Sequence, residues 1–165
     1  MEAGPATTPP VRTDVAFVIP VYNEGKVVRA VVERVLEEYR HVVCVNDFSK
    51  DDSAKQIAHT AAYLINHPMN MGQGAALQTG IEFARDIEGV KYFVTYDADG
   101  QHQLNDVASM LAVIERDGVN MVLGSRFLGS EAVAMPKVKR AVLKLAVAFS
   151  NMVSGIKLTD THNGL

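Results

Sequence analysis

Two aspartates one residue apart follow an apolar run near the middle of the chain. Asp97 and Asp99 lie in the stretch VTYDADGQH, at the end of the run VKYFVTY of residues 90–96. If the chain stays extended, residues two apart point to the same side, and the two carboxylates repel unless a cation joins them. A hard divalent cation meets that need, with Gly100 allowing a tight turn and Gln101 offering another oxygen. A solvated turn is the alternative, because Asp and Gly are common turn residues.

Other segments could bind anions. Residues 70–76, NMGQGAA, have glycines that allow close backbone approach before a predicted helix. They lack the GK[ST] of a P-loop and the full GxGxxG spacing, so an ordinary turn is the alternative. Arg126 in GSRFLG offers a planar fork for phosphate oxygens, although arginine is also common on surfaces. Arg140 belongs to a basic cluster at 137–144, either a solvated helix face or a contact for anions or a membrane surface.

Apolar runs and helically spaced apolar residues alternate along the chain. Buried strands are predicted at residues 15–20 and 41–46, and further strands at about 63–66, at 90–96 and at 119–124. Helices are predicted at about 25–39, 74–87, 104–114 and 137–153. Another helix is predicted to begin at a cap, Ser49 or Asp51, and to end near residue 62. The pattern is typical of an α/β fold, with a mainly parallel sheet flanked by helices on both faces. Ligands of such sheets bind beyond the carboxyl ends of the strands, where the polar residues named above would converge.

Composition limits the class of protein and its partners. The 165 residues, 48% hydrophobic and 21% charged, are typical of one globular domain, and a net charge of -3 argues against nucleic-acid binding. The single cysteine, Cys44, lies in an apolar run and is expected to be a buried hydrophobic residue. No apolar segment reaches the roughly 18 residues of a membrane span, and no signal-peptide pattern is present, so a cytoplasmic protein is expected.

Six segments in a fixed order resemble glycosyltransferase family 2, which has a GT-A fold. The closest resemblance is to the members that transfer a sugar from a nucleotide donor to a polyprenyl or dolichyl-type phosphate. The segments are VIPVYNE (18–24), VVCVNDFSKDDS (42–53), NMGQGAALQTG (70–80), YDADGQH (96–102), GSRFLG (124–129) and LTDTHNGL (158–165). The resemblance covers residues 14–165 and implies a Rossmann-like GT-A domain there, which binds the nucleotide sugar and is catalytic. Residues 1–13 hold three of the six prolines and almost no large apolar residue, and are predicted to be a flexible tail.

The resemblance also implies a role for each matching residue. At the nucleotide it places Pro20, Tyr22 and Glu24 near the base and ribose, Asp47 at the base, and Gly72 and Gly74 in a nearby loop. It makes Asp99 and Gln101 ligands of Mg²⁺ or Mn²⁺, with Asp97 near the metal or the ribose.

For the phosphates and catalysis, the resemblance implies that Arg126 and Arg140 hold the diphosphate or the acceptor phosphate, and that Asp160 has a catalytic role. The implied reaction is an inverting, metal-dependent transfer to a polyprenyl phosphate, in which the cation and arginines stabilise the leaving diphosphate. The alternatives are a family 2 enzyme that uses a sugar hydroxyl, with Asp160 as general base, and a non-catalytic nucleotide-sugar-binding domain. A nucleotidyltransferase is disfavoured, because PVYNEGK rather than a basic glycine-rich loop follows the first strand.

The chain departs from the family pattern in two places. Phe48 replaces the glycine of the common motif NDGS and is expected to narrow the base pocket. The last family motif normally continues beyond Leu165 into further helices, so the acceptor side is expected to be incomplete. Peripheral contact with the cytoplasmic face of a membrane is compatible with the resemblance. The motifs fit GDP-mannose, UDP-glucose and UDP-N-acetylglucosamine equally, and they leave the oligomeric state open.

Overall fold

The computed structural model describes residues 11–100, 104–125 and 146–153, together with residues 155 and 159. It divides the chain into two compact units, one ending at Leu104 and one beginning at Asn105.

The first unit is a parallel sheet whose strands alternate with helices. Its strands are β1 (Arg12–Val21), β2 (Tyr39–Asn46), β3 (Tyr63–Asn66) and β4 (Tyr92–Thr95). Its helices are α1 (Val28–Leu36), α2 (Ser53–Ala58) and α3 (Gln73–Arg85). The strand order is β3-β2-β1-β4, and every neighbouring pair is parallel. The predicted α/β class and parallel sheet are confirmed.

The two central strands, β1 and β2, are buried on both faces of the sheet, which explains why they are apolar at successive positions rather than alternating. On one face, buried side chains of β1 and β2 pack against α3, namely Ala16, Val18, Val43 and Val45 with Ala76 and Ala84. On the other face, the paired side chains Phe17 and Val42, and Ile19 and Cys44, have no exposed surface. Burial raises the pKa of the Cys44 thiol to about 12, and its predicted role as a buried hydrophobic residue is confirmed.

The helix α4 (Leu104–Asp117), which lies in the second unit apart from its first residue, agrees with the predicted helix at 104–114. Of the helix predicted at 137–153, the structure describes residues 146–153, and these are helical. In the parts of the chain just defined, no helix combines the length and the apolar character that crossing a membrane requires.

The predicted strand at 119–124 is wrong. These residues have no regular secondary structure, and Val119, Met121 and Leu123 are exposed. A strand needs a neighbour that satisfies its backbone N–H and C=O groups, and apolar residues alone do not supply one.

The helix predicted to end near residue 62 stops at Ala58. Thr60 explains the difference, because its hydroxyl donates to the carbonyl of Ile57 at 2.7 Å and accepts from the amide of Ala62 at 3.2 Å. A side chain that bonds locally in this way replaces the next turn of helix.

Candidate active site

A pocket of about 480 Å³ lies at the carboxyl ends of the strands in the first unit. Seven residues proposed from the sequence line it: Pro20, Tyr22, Glu24, Asp47, Gly72, Asp97 and Asp99. The remaining lining residues are Val21, Asn70, Gln73 and Ala98. The structure therefore brings together residues from four segments that are far apart in the sequence, while the role of each stays a prediction.

Asp97 and Asp99 reach this pocket through a turn. β4 ends at Thr95, and the chain turns at residues 98–99, so the extended conformation considered above does not continue. Gly100 has φ +74°, a backbone conformation that glycine adopts without strain. Asp97 accepts a hydrogen bond of 3.2 Å from Nε2 of Gln73, at the start of α3, which helps to orient its carboxylate.

The pair of carboxylates is compatible with a divalent cation. Among the described residues there is no group of three or more His, Cys, Asp or Glu side chains that could enclose a metal ion. Mg²⁺ in phosphate sites is usually held by only one or two carboxylates together with water and substrate phosphate oxygens. Asp97 and Asp99 at an open pocket fit that donor set, and metal binding stays a prediction.

Asp47 follows β2 and anchors the loop of residues 67–72, which connects β3 to α3. Its Oδ1 accepts from the amide of Met71 at 2.8 Å, and its Oδ2 accepts from the amide of Gly72 at 2.8 Å. Nδ1 of His67 lies 2.8 Å from Oδ1, and Nε2 of the same ring lies 3.0 Å from Oγ1 of Thr79 on α3. One buried carboxylate thus joins the end of a strand to this loop and, through His67, to a helix.

The electrostatic state of Asp47 follows from these contacts. Burial by itself would raise the pKa of this carboxyl group. The hydrogen bonds from Met71, His67 and Gly72 outweigh burial and hold the pKa below its ordinary value. Asp47 is therefore a buried carboxylate stabilised by donors of its own chain.

The start of α3 forms one side of the pocket. Gly72 is the N-cap, with φ +89°, and a side chain at this position would be strained. Gly74 is the second residue of α3 rather than a loop residue, and it is not among those that line the pocket. Gly72 therefore borders the pocket and Gly74 does not, while the role of both glycines at the nucleotide stays a prediction.

The loop after β1 is held by the loop after β2. The amide of Asn23 donates to Oγ of Ser49 at 3.0 Å, and Oδ1 of Asn23 accepts from the amide of Lys50 at 2.7 Å. The amide of Glu24 donates to Oγ of Ser53 at 2.9 Å.

The amide of Gly25 extends this contact by donating to Oδ2 of Asp51 at 2.9 Å. The Asp51 carboxylate also accepts hydrogen bonds from Ser53. The bonds from Ser53 and Gly25 outweigh the effect of burial and hold the pKa of Asp51 below its ordinary value. The N-cap of α2 is Asp52, so the predicted caps Ser49 and Asp51 are wrong. Their side chains instead accept from the amides of Asn23 and Gly25, which flank the lining residue Glu24.

Phe48 does not have its predicted effect. It is not among the lining residues, and the residue is 41% exposed. Nζ of Lys50 lies 4.2 Å from the centroid of its ring. Its φ is +62°, a left-handed conformation that disfavours residues with a side chain. That conformation explains a glycine in the family motif, and the expected narrowing of the base pocket is wrong.

Four residues proposed from the sequence, Gln101, Arg126, Arg140 and Asp160, lie outside the described residues. The pocket residues Asn70 and Gln73 and the contacts of His67 are not predicted from the sequence. Asn70 and Gln73 lie within the glycine-containing segment already noted, which was the available signal.

A parallel sheet flanked by helices, with a polar pocket at the carboxyl ends of its strands, defines a Rossmann-like α/β protein of the GT-A type. Residues 16–148 match the family model for glycosyl transferase family 2, and the chain belongs to that family.

Similar proteins include three whose names state an activity. The chain is 29% identical to the UDP-N-acetylglucosamine–dolichyl-phosphate N-acetylglucosaminyltransferase of Methanococcus voltae, over 90% of this chain and 66% of that protein. It is 31% identical to the dolichyl-phosphate beta-glucosyltransferase ALG5D of Trichomonas vaginalis, over 91% and 51%. It is 27% identical to the polyprenol monophosphomannose synthase of Mycolicibacterium smegmatis, over 97% and 63%. The chain thus spans between about half and two thirds of the length of these relatives.

Proposed function

We propose that this chain catalyses the metal-dependent transfer of a sugar, with inversion, from a nucleotide diphosphosugar to a polyprenyl phosphate. The observation that carries the proposal is the convergence of seven residues, matched to the nucleotide-sugar site of the family, on one pocket at the carboxyl edge of the sheet. The names of the three relatives, which state a dolichyl phosphate or polyprenol, support the choice of acceptor.

The nucleotide occupies the side of the pocket formed by Pro20, Tyr22 and Glu24. Tyr22 is 48% exposed and offers an aromatic surface to the base, while the Glu24 carboxylate can accept hydrogen bonds from ribose hydroxyls. The diphosphate lies near the start of α3, where Gly72 allows close approach and the positive end of the helix dipole favours an anion.

Asp97 and Asp99, with Gln101, would hold Mg²⁺ or Mn²⁺. A bound cation supplies positive charge that offsets the charge on the departing diphosphate. Gln73 restrains one of the two carboxylates, Asp97, by its hydrogen bond.

The transfer is one displacement. An acceptor phosphate oxygen forms a bond to the anomeric carbon while the bond from that carbon to the diphosphate oxygen breaks, and the nucleoside diphosphate leaves with the electron pair. The attacking oxygen is already anionic near neutral pH, so no residue has to remove a proton. Arg126 and Arg140 would bind the phosphates, and Asp160 would position the acceptor or an arginine rather than act as a base. Because a polyprenyl phosphate resides in a bilayer, the protein would work at the cytoplasmic face of a membrane.

The test is transfer from GDP-mannose, UDP-glucose and UDP-N-acetylglucosamine to a short-chain polyprenyl phosphate, with Mn²⁺, Mg²⁺ or EDTA. We expect one donor to support transfer that EDTA abolishes, and the anomeric configuration of the product, determined by NMR, to be inverted. Asp99→Asn should abolish transfer and the metal-dependent part of nucleoside diphosphate binding, with little change in melting temperature. Asp86→Asn, at the C-terminal end of α3, is the matched control and should retain both. Transfer by Asp99→Asn at the wild-type rate, or retained configuration, would contradict the proposal.

A further inference from the structure

We propose that Ser53 is a positioning residue, which raises nucleotide affinity by fixing Glu24 at the edge of the pocket. Ser53 is the first residue of α2 and is not among the residues that line the pocket. Its hydroxyl accepts a hydrogen bond of 2.9 Å from the amide of Glu24, which does line it. The inference rests on the proposed function for the ligand, a nucleoside diphosphate, and it gives Ser53 no contact of its own with that ligand.

The first argument is how firmly the Ser53 hydroxyl is held. The residue has no exposed surface, and it begins a helix whose residue Ile57 is also fully buried. The hydroxyl donates its proton to Oδ1 of Asp51, and the amide of Ser53 donates to the same oxygen at 3.0 Å. A hydroxyl has only one proton to donate, so the Ser53 oxygen meets the Glu24 amide as an acceptor in a fixed place.

The second argument is what this hydrogen bond fixes. The carbonyl of Glu24 accepts from the amides of Val27 and Val28, at 3.0 and 2.9 Å, where α1 begins. With its amide bonded to Ser53, Glu24 is held through both of its backbone polar groups. The position of its carboxylate relative to a bound ribose therefore depends on a serine that lies outside the pocket.

The third argument is that the contact is specific to Glu24. The amides on either side, of Asn23 and Gly25, donate to other side chains of the segment 49–53. Replacing Ser53 by alanine removes the acceptor of the Glu24 amide and leaves the acceptors of both neighbours in the chain. The expected change in the pocket is therefore centred on Glu24.

The test is a double-mutant cycle that measures nucleotide affinity in Ser53→Ala, Glu24→Ala and the double variant. If Ser53 acts through Glu24, loss of its hydroxyl weakens binding only while the Glu24 side chain is present. A general disturbance of the pocket would weaken binding by the same factor in both backgrounds. Titration calorimetry with GDP and UDP, in the presence of Mn²⁺, gives the dissociation constants, and the nucleotide that the wild type binds more tightly is used for the cycle.

We expect Glu24→Ala and Ser53→Ala each to weaken binding by about fivefold or more. In the Glu24→Ala background, Ser53→Ala should weaken it by less than about twofold.

Thr60→Ala is the matched control, because it also removes a hydroxyl that donates one hydrogen bond and accepts another, just beyond the other end of α2. The melting temperature of each variant is measured, so that affinities are compared below the onset of unfolding. Thr60→Ala should leave nucleotide affinity unchanged, whatever its effect on the melting temperature.

Three results would overturn the inference alone: unchanged affinity in Ser53→Ala or in Glu24→Ala, equal factors in the two backgrounds, or a comparable loss of affinity in Thr60→Ala. Each of them requires a wild type that binds nucleotide. Failure of the wild type to bind either nucleoside diphosphate would instead overturn the proposed function, and the inference with it.

Discussion

Gly80 of α3 lies so close to Val18 of β1 that a Cβ atom on the glycine would be 2.4 Å from Cγ1 of the valine. The same Cβ would be 3.2 Å from Cγ2 of Val45 on β2. Both valines are fully buried and packed by neighbours of the sheet, so neither can move freely. The absence of a side chain at Gly80 thus lets α3 lie directly on the sheet.

Gly80→Ala should destabilise the protein by about 1–3 kcal/mol, because the added methyl group forces the helix away from the sheet. The free energy of unfolding, measured with urea, tests this expectation. Gly74→Ala on the same helix is the control: a Cβ there meets no atom within 4 Å. Alanine is the better helix former by about 0.5–1 kcal/mol, so the control should be neutral or stabilising. Equal stability of the two variants would show that the close contact does not limit packing.

Phe48→Gly should be more stable than Phe48→Ala by about 1 kcal/mol, because only glycine adopts a φ of +62° without a steric penalty. Both variants remove the ring and its contact with Lys50, so the comparison isolates the backbone effect. Urea unfolding measures the difference. Neither variant should change nucleotide affinity, because Phe48 does not line the pocket. A more stable alanine variant would mean that the left-handed conformation is not retained in solution.

Acidification should remove the stabilisation that Asp51 contributes. The pKa of this carboxyl group is held below its ordinary value by the hydrogen bond from Ser53. A depressed pKa in the folded state stabilises the protein above the unfolded pKa of about 3.9, and this contribution disappears as the pH falls through the folded pKa. The difference in unfolding free energy between wild type and Asp51→Asn should therefore shrink between pH 6 and about pH 3. Ser53→Ala removes the main donor, so its free energy of unfolding should also depend less on pH than that of the wild type. Parallel pH curves for wild type and Asp51→Asn would refute the assignment.

Much of the fold could be predicted from local pattern. The central strands β1 and β2 follow apolar runs, because a strand buried on both faces requires apolar residues at successive positions. The short strand Tyr63–Asn66 agrees with the strand predicted at about 63–66. The grouping of Tyr22, Asp47 and Asp97 at one edge followed from the rule that parallel strands share a carboxyl end.

The tertiary structure decided which partners the polar side chains have. Ser49 and Asp51 resemble helix caps in the local sequence, yet their side chains accept from the amides of Asn23 and Gly25, each 26 residues earlier in the chain. Asp47 matches a base-binding position in sequence, and only the folded chain shows its carboxylate bonded to Met71 and Gly72. The physical reason is range: periodicity and turn residues record interactions within a few positions along the chain, whereas these hydrogen bonds depend on two loops that only the assembled sheet brings together.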